Sequence, residues 1–271
     1  MVYVMEPFTV IGLTTVIGRM LPEPHAGFLS GILFGTRAAM SKGLVDAFVT
    51  TGTIHIVALS GQNLSIFTGV LANWLASLFS RRLSSLLIIF LLVWFLWFIG
   101  PSPSLVRAVI MGSLTLFSVI FGRRNVSLLS LLLAVGIMLL LNPSWISDLS
   151  FQLSVLATLG IILFGSPKGV KNATFWSFIK DDLRITLAAQ LLTTPLIFFQ
   201  FHRISLIAPF TNVLIGWTMP ILMGLGWTAA IMGYIWLPLG ILPAWGSWVL
   251  LTYVMRVVEV TAGFPFASIA W

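Results

Sequence analysis

The feature that most limits the possible folds is a series of long apolar segments joined by short connections. Residues 83–99, for example, form an almost unbroken apolar run. A helix crosses the hydrocarbon core of a bilayer with roughly 20 apolar residues, whereas the strands of a membrane barrel alternate apolar and polar positions. Eight segments fit the helical pattern, at 55–79, 83–99, 104–121, 126–141, 147–164, 183–200, 206–234 and 238–262. The sequence therefore predicts an all-α, polytopic transmembrane helical bundle of about eight spans.

Composition supports a membrane protein and leaves the role of its basic residues open. Hydrophobic residues make up 59% of the 271 residues, charged residues only 8%, and the mean hydropathy is +1.08. These values lie outside the range of soluble globular domains. The formal net charge is +7, which either orients the chain in the membrane or attracts a polyanionic substrate. Because the chain has no cysteine, it forms no disulfide and no thiolate metal site.

The eight segments are preceded by shorter apolar elements. We expect short interfacial or re-entrant helices at 26–35 and 43–52, and we expect glycine or proline to break some of the longer helices, at Pro195 and Pro220 among others. The chain divides into an N-terminal segment at 1–20, a transmembrane domain at 21–262 and a C-terminal tail at 263–271. These boundaries place most of the chain in one domain.

The connections between segments alternate in charge. Basic pairs follow the first and third segments, at 81–82 and 123–124, whereas the connections at 100–104 and 142–147 contain proline and no basic residue. Basic connections of membrane proteins remain in the cytoplasm. The sequence therefore predicts a multi-pass protein of the cell (inner) membrane, with residues 100–104 and 142–147 outside.

Polar residues interrupt the first long segment, which reads GTIHIVALSGQN at 52–63. If this segment is one helix, His55, Gln62 and Asn73 project from the same face. The Ser60-Gly61 pair favours a kink or local unwinding, and unwound backbone must be buried in protein or line a watery cavity. The alternative is a cluster of interhelical hydrogen bonds.

A second polar position is Arg107, in the first turns of the third long segment. The positive end of the helix dipole disfavours a cation there, so we expect an anion to compensate. Asp148 begins the fifth segment on the same side of the membrane, with Gln152 one turn deeper on the same face. The anion is either the Asp148 carboxylate, in a structural pair, or a passing phosphate.

Several enzyme motifs are missing from the sequence. It contains neither a phosphate-binding G-x-x-x-x-G-K-[ST] loop nor an H-E-x-x-H zinc motif, and no second histidine lies near His55. Ser60 is not in a G-x-S-x-G nucleophile elbow. We therefore expect no catalytic centre, no resident metal, no cofactor and no built-in motor.

Several blocks together resemble one family, the bacterial ComEC-type competence proteins. The matching stretches follow one another in that family's order and spacing, and they are LPEPHAGFLSGILFGTR at 21–37, GTIHIVALSGQN at 52–63, PSPSLVRAVIMG at 101–112 and LNPSWISDLSFQLSVLATLGI at 141–161. The resemblance covers about residues 21–235. It implies an inner-membrane channel through which single-stranded DNA enters the cytoplasm during natural transformation.

The resemblance also implies site residues and partners. It implies a DNA receptor outside the membrane and an ATP-driven motor in the cytoplasm, besides single-stranded DNA and the membrane lipids. Members often have a second histidine where this chain has Asn63, and full-length members usually add an OB-like and a metallo-β-lactamase-like domain, which these blocks do not include. Combined with the polar positions above, it predicts a DNA path lined by His55, Ser60, Gly61, Gln62, Asn63, Arg107, Asp148, Gln152, Ser154, Gln190 and Asn212.

Two other classes of function fit the same apolar and polar pattern. One is a secondary transporter or lipid-handling membrane protein with broken helices, although the two halves show no clear repeat. The other is a membrane scaffold that transports nothing. Polar side chains from separate helices around one wet passage would favour the DNA channel over both.

Overall fold

The chain folds into a bundle of helices. A computed structural model describes residues 8–36, 40–57, 61–165 and 175–270. Within them the helices are α1 (Val10–Met20), α2 (His25–Phe34), α3 (Lys42–Thr50), α4 (Gly61–Leu78), α5 (Arg81–Ile99), α6 (Pro103–Ile120), α7 (Ser127–Leu141), α8 (Leu149–Phe164), α9 (Phe175–Phe201), α10 (Ala208–Gly216), α11 (Thr218–Ile235) and α12 (Leu237–Ala262). Strands β1 (Arg203–Ser205) and β2 (Ser268–Ala270) form one short antiparallel ladder. The predicted all-α class is confirmed.

The predicted spans are found as helices of two lengths. Five helices are long and apolar enough to cross a membrane, namely α5, α6, Lys180–Gln200 within α9, α11 and α12. The other three predicted segments correspond to α4, α7 and α8, whose apolar helical stretches are shorter than 18 residues. The short helices expected at 26–35 and 43–52 are α2 and α3. The protein is therefore a membrane protein by the length and composition of its helices.

Several helices begin where the sequence supplies a capping side chain. Thr9, Ser41 and Ser80 each accept a hydrogen bond from a backbone N–H in the first turn of α1, α3 and α5. Asp148 does the same for α8, with 3.0 Å between its Oδ1 and the nitrogen of Phe151. Pro103 is the first residue of α6, where a missing N–H leaves no helical bond unmade. These local signals explain why most predicted boundaries are close to the observed ones.

Of two predictions about proline, the structure confirms one and corrects the other. The segment expected at 206–234 is divided into α10 and α11 at Trp217, in the turn before Pro220. Pro220 has no N–H for the carbonyl oxygen of Gly216, four residues earlier, so a break is expected in this turn. Pro195, by contrast, lies inside α9, which continues to Phe201, so Pro195 does not end its helix.

The main core is formed by α1, α2, α11 and α12. Phe28, Leu29 and Leu33 of α2 are fully buried there. A Cβ placed on Gly226 of α11 would lie 2.8 Å from Leu29 Cδ1, and one placed on Gly240 of α12 would lie 2.6 Å from the Cα of Gly233. Small residues thus let α11 approach both neighbours closely, as their spacing in the sequence allows.

α1 belongs to this core, although residues 1–20 are predicted to lie outside the transmembrane domain. Leu13 and Ile17 are fully buried, and α1 packs against α2, α11 and α12. At the other end of the chain, β2 pairs with β1. The domain boundaries at residues 21 and 262 stay a prediction. α1, before the first boundary, and β2, after the second, both contact the rest of the fold.

The remaining helices pack in a series that carries most of the predicted path residues. α4 packs on α6, α6 on α8, α8 on α9, and α9 on α10. The outer faces of the bundle are strongly apolar, with Trp97, Leu140 and Leu242 at 79%, 86% and 83% exposure. Such faces suit contact with lipid, so the polar residues of these helices are available to the protein interior.

Candidate functional site

Two of the predicted path residues from different helices, Arg107 and Gly61, lie against each other. Arg107 is the fifth residue of α6, and Gly61 is the first residue of α4. A Cβ on Gly61 would overlap Nη2 of Arg107 and would lie 3.4 Å from the Cβ of Ala108. Glycine is therefore the residue that lets the guanidinium group lie directly against the start of α4.

The electrostatics of this junction favour a bound anion. The first N–H groups of α4 and the first turns of α6 are positive ends of helix dipoles, and the guanidinium group adds a full positive charge. Nε of Arg107 is buried and has no hydrogen-bond partner in the described part of the chain. No described acidic side chain forms an ion pair with Arg107, so the positive charge of the junction is not neutralised there.

Asp148 does not supply the anion for Arg107. Its side chain is exposed and accepts the N–H of Phe151 at the start of α8. Gln152, one turn further along α8, is half-buried and donates from Nε2 to the carbonyl oxygen of Ile146 at 2.8 Å. Of the two alternatives for Arg107, the structural pair with Asp148 is thus not formed.

His55 lies in a separate 3₁₀ turn, at Ile54–Ile56, before α4 begins at Gly61. Its exposed ring has Nδ1 at 3.2 Å from the carbonyl oxygen of Gly52, and a carbonyl only accepts, so Nδ1 carries the hydrogen and Nε2 presents a lone pair. The expectation that His55 and Asn73 share one helical face is wrong, because they belong to different elements.

Gly52 positions His55 and was not found by sequence reasoning. Its φ is +67°, and a Cβ at this position would lie 2.8 Å from the Cβ of Ala208 and 3.0 Å from that of Ser205. Any other residue would push the turn away from the α10 region. A glycine three residues before the histidine was the only available signal, and it is a weak one.

The neighbours of Gly61 in the sequence have different surroundings. Asn63 is 3% exposed, and its Nδ2 donates to the carbonyl oxygen of Ile32 at 3.3 Å, which ties α4 to α2. Gln62 is in the first turn of α4. Ser60 lies outside the described residues.

Three other predicted residues lie further along the series of helices. Ser154 is on α8, two residues from Gln152 and therefore about 200° around the helix from it. Gln190 is half-buried on α9. Asn212 is half-buried on α10, and its Oδ1 is buried without a hydrogen-bond partner among the described residues. The fold brings Gly61 and Arg107 into contact and distributes the other predicted residues over neighbouring helices.

A cavity of about 170 Å³ lies between α1 and α2, and none of the predicted path residues lines it. Its wall is formed by Thr14, Gly18, Glu23, Ala26, Gly27, Ser30 and Thr36. The sequence did not predict this polar cavity, because hydroxyl and small residues on a short apolar helix are typical of packing positions. Over the ranges that the structure describes, no group of three or more histidine or acidic side chains could hold a metal ion.

Comparison with known proteins gives one family and one curated relative. The family described as Competence protein matches residues 32–271. ComE operon protein 3 of Bacillus subtilis (strain 168) is 26% identical over 200 residues, which are 72% of this chain and 25% of the relative. The chain thus matches about a quarter of the length of that relative. No solved structure matches the chain.

Proposed function

Because the chain belongs to the competence protein family, we propose that it is a multi-pass protein of the bacterial inner membrane that conducts single-stranded DNA into the cytoplasm. The relative with which it shares 26% identity is named ComE operon protein 3. The observation that carries the proposal is the Arg107 guanidinium group, which lies against Gly61 at the start of α4 and forms no ion pair with any acidic side chain that the structure describes.

A strand of DNA crosses a bilayer only along a polar path, because each phosphate carries a charge that hydrocarbon cannot solvate. Arg107 and the first N–H groups of α4 together form a site suited to a phosphate oxygen, since arginine and helix N-termini are the commonest phosphate ligands in proteins. One such site binds a phosphate without trapping the strand. Contacts to the backbone alone also leave the base sequence unread.

The other predicted path residues enter the proposal according to their surroundings. His55 presents the Nε2 lone pair from an exposed ring, and Asp148 and Gln152 lie at the start of α8, which packs on α6. The proposed path includes His55, Asp148 and Gln152, together with Ser60, Gln62, Ser154, Gln190 and Asn212. We assign Asn63 a packing role, because its amide is buried and bonded to α2.

The proposed partners follow from the chemistry of the chain. The sequence has no phosphate-binding loop with which to hydrolyse a nucleotide. The strand would therefore be moved by a separate ATP-driven motor in the cytoplasm. A receptor outside the membrane would deliver the DNA.

The test is uptake of labelled DNA by a naturally competent host that makes Arg107→Ala or Arg107→Lys at the normal level. A hydrogen bond to a charged group contributes about 1.5–3 kcal/mol, so we expect Arg107→Ala to lower uptake by about tenfold or more. Arg107→Lys keeps the charge and should retain part of the uptake.

The matched control is Arg256→Ala. Arg256 is an exposed arginine of α12 whose pair with Glu259 lies on the surface, at 3.5 Å, and such pairs contribute little. Uptake by Arg256→Ala should equal that of the unchanged protein. Undiminished uptake by Arg107→Ala would remove Arg107 from the path and with it the observation that supports the channel.

A further inference from the structure

Four of the residues that line the cavity between α1 and α2 have side-chain oxygen atoms. Glu23 is the acidic residue among them, and Thr14, Ser30 and Thr36 are the hydroxyl residues. Glu23 and Gly18 are exposed, so the cavity reaches the surface, whereas Ser30 is 4% exposed. The cavity is separate from the Arg107 junction, whose residues do not line it.

The oxygen atoms of this wall are arranged as acceptors. Glu23 Oε2 accepts the N–H of Gly27 at 3.1 Å, which fixes the carboxylate and leaves its second oxygen available. The hydroxyl of Thr14 donates its hydrogen to the carbonyl oxygen of Ile11 at 2.9 Å, so only its lone pairs remain for a ligand. Oγ1 of Thr36 is buried without a partner among the described residues. Such a set of lone pairs attracts a cation.

No basic side chain neutralises Glu23 in the described part of the chain. Arg19 is close in sequence, at the end of α1, yet it is exposed and forms no ion pair with Glu23. The ring of His25 interacts electrostatically with Glu23 but forms no ion pair with it, and its Nε2 lies 2.9 Å from Oγ1 of Thr252. The charge of the carboxylate is thus available to a ligand.

From this geometry we propose that the cavity between α1 and α2 binds a monovalent metal cation, sodium or potassium, through Glu23 and the hydroxyls of Thr14, Ser30 and Thr36. Carboxylate, hydroxyl and water oxygens are ligands that hard cations prefer. A single carboxylate among neutral hydroxyls balances one positive charge, whereas calcium sites gather several carboxylates. The volume of about 170 Å³ also holds several water molecules, at roughly 30 Å³ each, so the ion keeps part of its hydration shell.

The experiment measures thermal unfolding of the purified chain in detergent micelles, followed by the fluorescence of its 11 tryptophans. Chloride salts of sodium, potassium, calcium and choline are compared at equal ionic strength. A ligand that binds only the folded state raises Tm as its concentration rises. We therefore expect a saturable rise in Tm with sodium or potassium, and no such rise with choline, because methyl groups shield its quaternary nitrogen from coordination by oxygen lone pairs.

Two variants and one matched control test whether the rise in Tm comes from an ion bound in the cavity. Glu23→Gln keeps an acceptor for Gly27 but loses the charge, and it should weaken the apparent affinity by about tenfold or more. Thr14→Val removes a cavity hydroxyl and should weaken it as well. Thr15→Val is the control, because Thr15 also donates to the carbonyl oxygen of Ile11 at 2.9 Å but does not line the cavity.

Three results would overturn the proposal. The first is an equal Tm in sodium, potassium and choline salts. The second is an equal response of Thr14→Val and Thr15→Val, which would mean that the Thr14 hydroxyl is not a ligand even if Glu23→Gln fails to fold. The third is a saturable rise with calcium, larger than with sodium and lost in Glu23→Gln, which would assign the cavity to a divalent cation.

Discussion

The contact between Arg107 and Gly61 depends on the absence of a single Cβ. The guanidinium group occupies the space that a Cβ of residue 61 would need, at the positive end of α4. Arginine is rarely stable at such a place without an anion, because the helix dipole and its charge repel each other. The positive charge where these two residues meet therefore favours the binding of a phosphate oxygen.

Replacing this glycine tests the junction without removing its charge. In Gly61→Ala the new Cβ displaces the end of a flexible side chain rather than backbone, so we expect the free energy of unfolding to change by less than about 1 kcal/mol. We expect uptake of labelled DNA to fall severalfold, since the guanidinium group moves away from the start of α4. The measurements are Tm in micelles and uptake in a competent host.

The control for this variant is Gly69→Ala, in the same helix. A Cβ on Gly69 meets no atom within 4 Å, so the substitution changes helix propensity without moving a neighbour. Equal uptake by the two alanine variants would contradict the importance of the Gly61 contact.

At the scale of elements, the contact between α8 and α9 depends on close approach at Gly160. A Cβ there would overlap the carbonyl oxygen of Ala188 and would lie 3.4 Å from the Cα of Ala189. These are backbone atoms of α9, which cannot move without the whole helix. Because α8 carries Gln152 and α9 carries Gln190, this contact sets the separation of two proposed path residues.

We expect Gly160→Ala to force α8 and α9 apart and to lower the free energy of unfolding by about 1–3 kcal/mol, the usual cost of overpacking. Thermal unfolding in micelles measures the effect. Gly136→Ala, in the middle of α7, is the matched control, since its Cβ meets no atom within 4 Å. A Tm that is equal in the two variants would show that the helices are not in close contact at Gly160.

At the scale of the whole molecule, the fold has two parts with different roles in the proposal. α1, α2, α11 and α12 enclose the largest cluster of buried apolar side chains, while the series from α4 to α10 carries most of the proposed path residues. Both parts have exposed apolar surfaces. The first part suits a rigid support. The second part has the polar side chains that a path for a charged polymer requires.

The charge of the connections predicts the orientation of the bundle in the membrane. Single cysteines test this prediction, because the chain has no cysteine of its own. Ser147→Cys, in the exposed connection before α8, should react in intact cells with a maleimide that does not cross membranes. Arg124→Cys, in the basic connection before α7, should react only after the cells are permeabilised, since basic connections stay in the cytoplasm. Labelling of Arg124→Cys in intact cells would reverse the predicted orientation.

The sequence by itself determined the class of the fold, the approximate extent of its apolar helices and the family. These properties depend on local patterns: apolar runs of a given length, capping side chains such as Asp148, and motifs in a given order. The same patterns indicated Arg107 as a cation that needs an anion, either the Asp148 carboxylate or a phosphate. They could not indicate which of its alternatives holds, since that depends on which helices pack together.

Only the tertiary structure decided the surroundings of the predicted residues. It placed Gly61 against Arg107, used Asp148 as a helix cap, buried Asn63 against α2 and put His55 in its own turn. It also assembled the cavity around Glu23 from two short helices. The physical reason is that burial, pairing and cavities arise between elements distant in sequence, whereas a helix forms from residues that are neighbours along the chain.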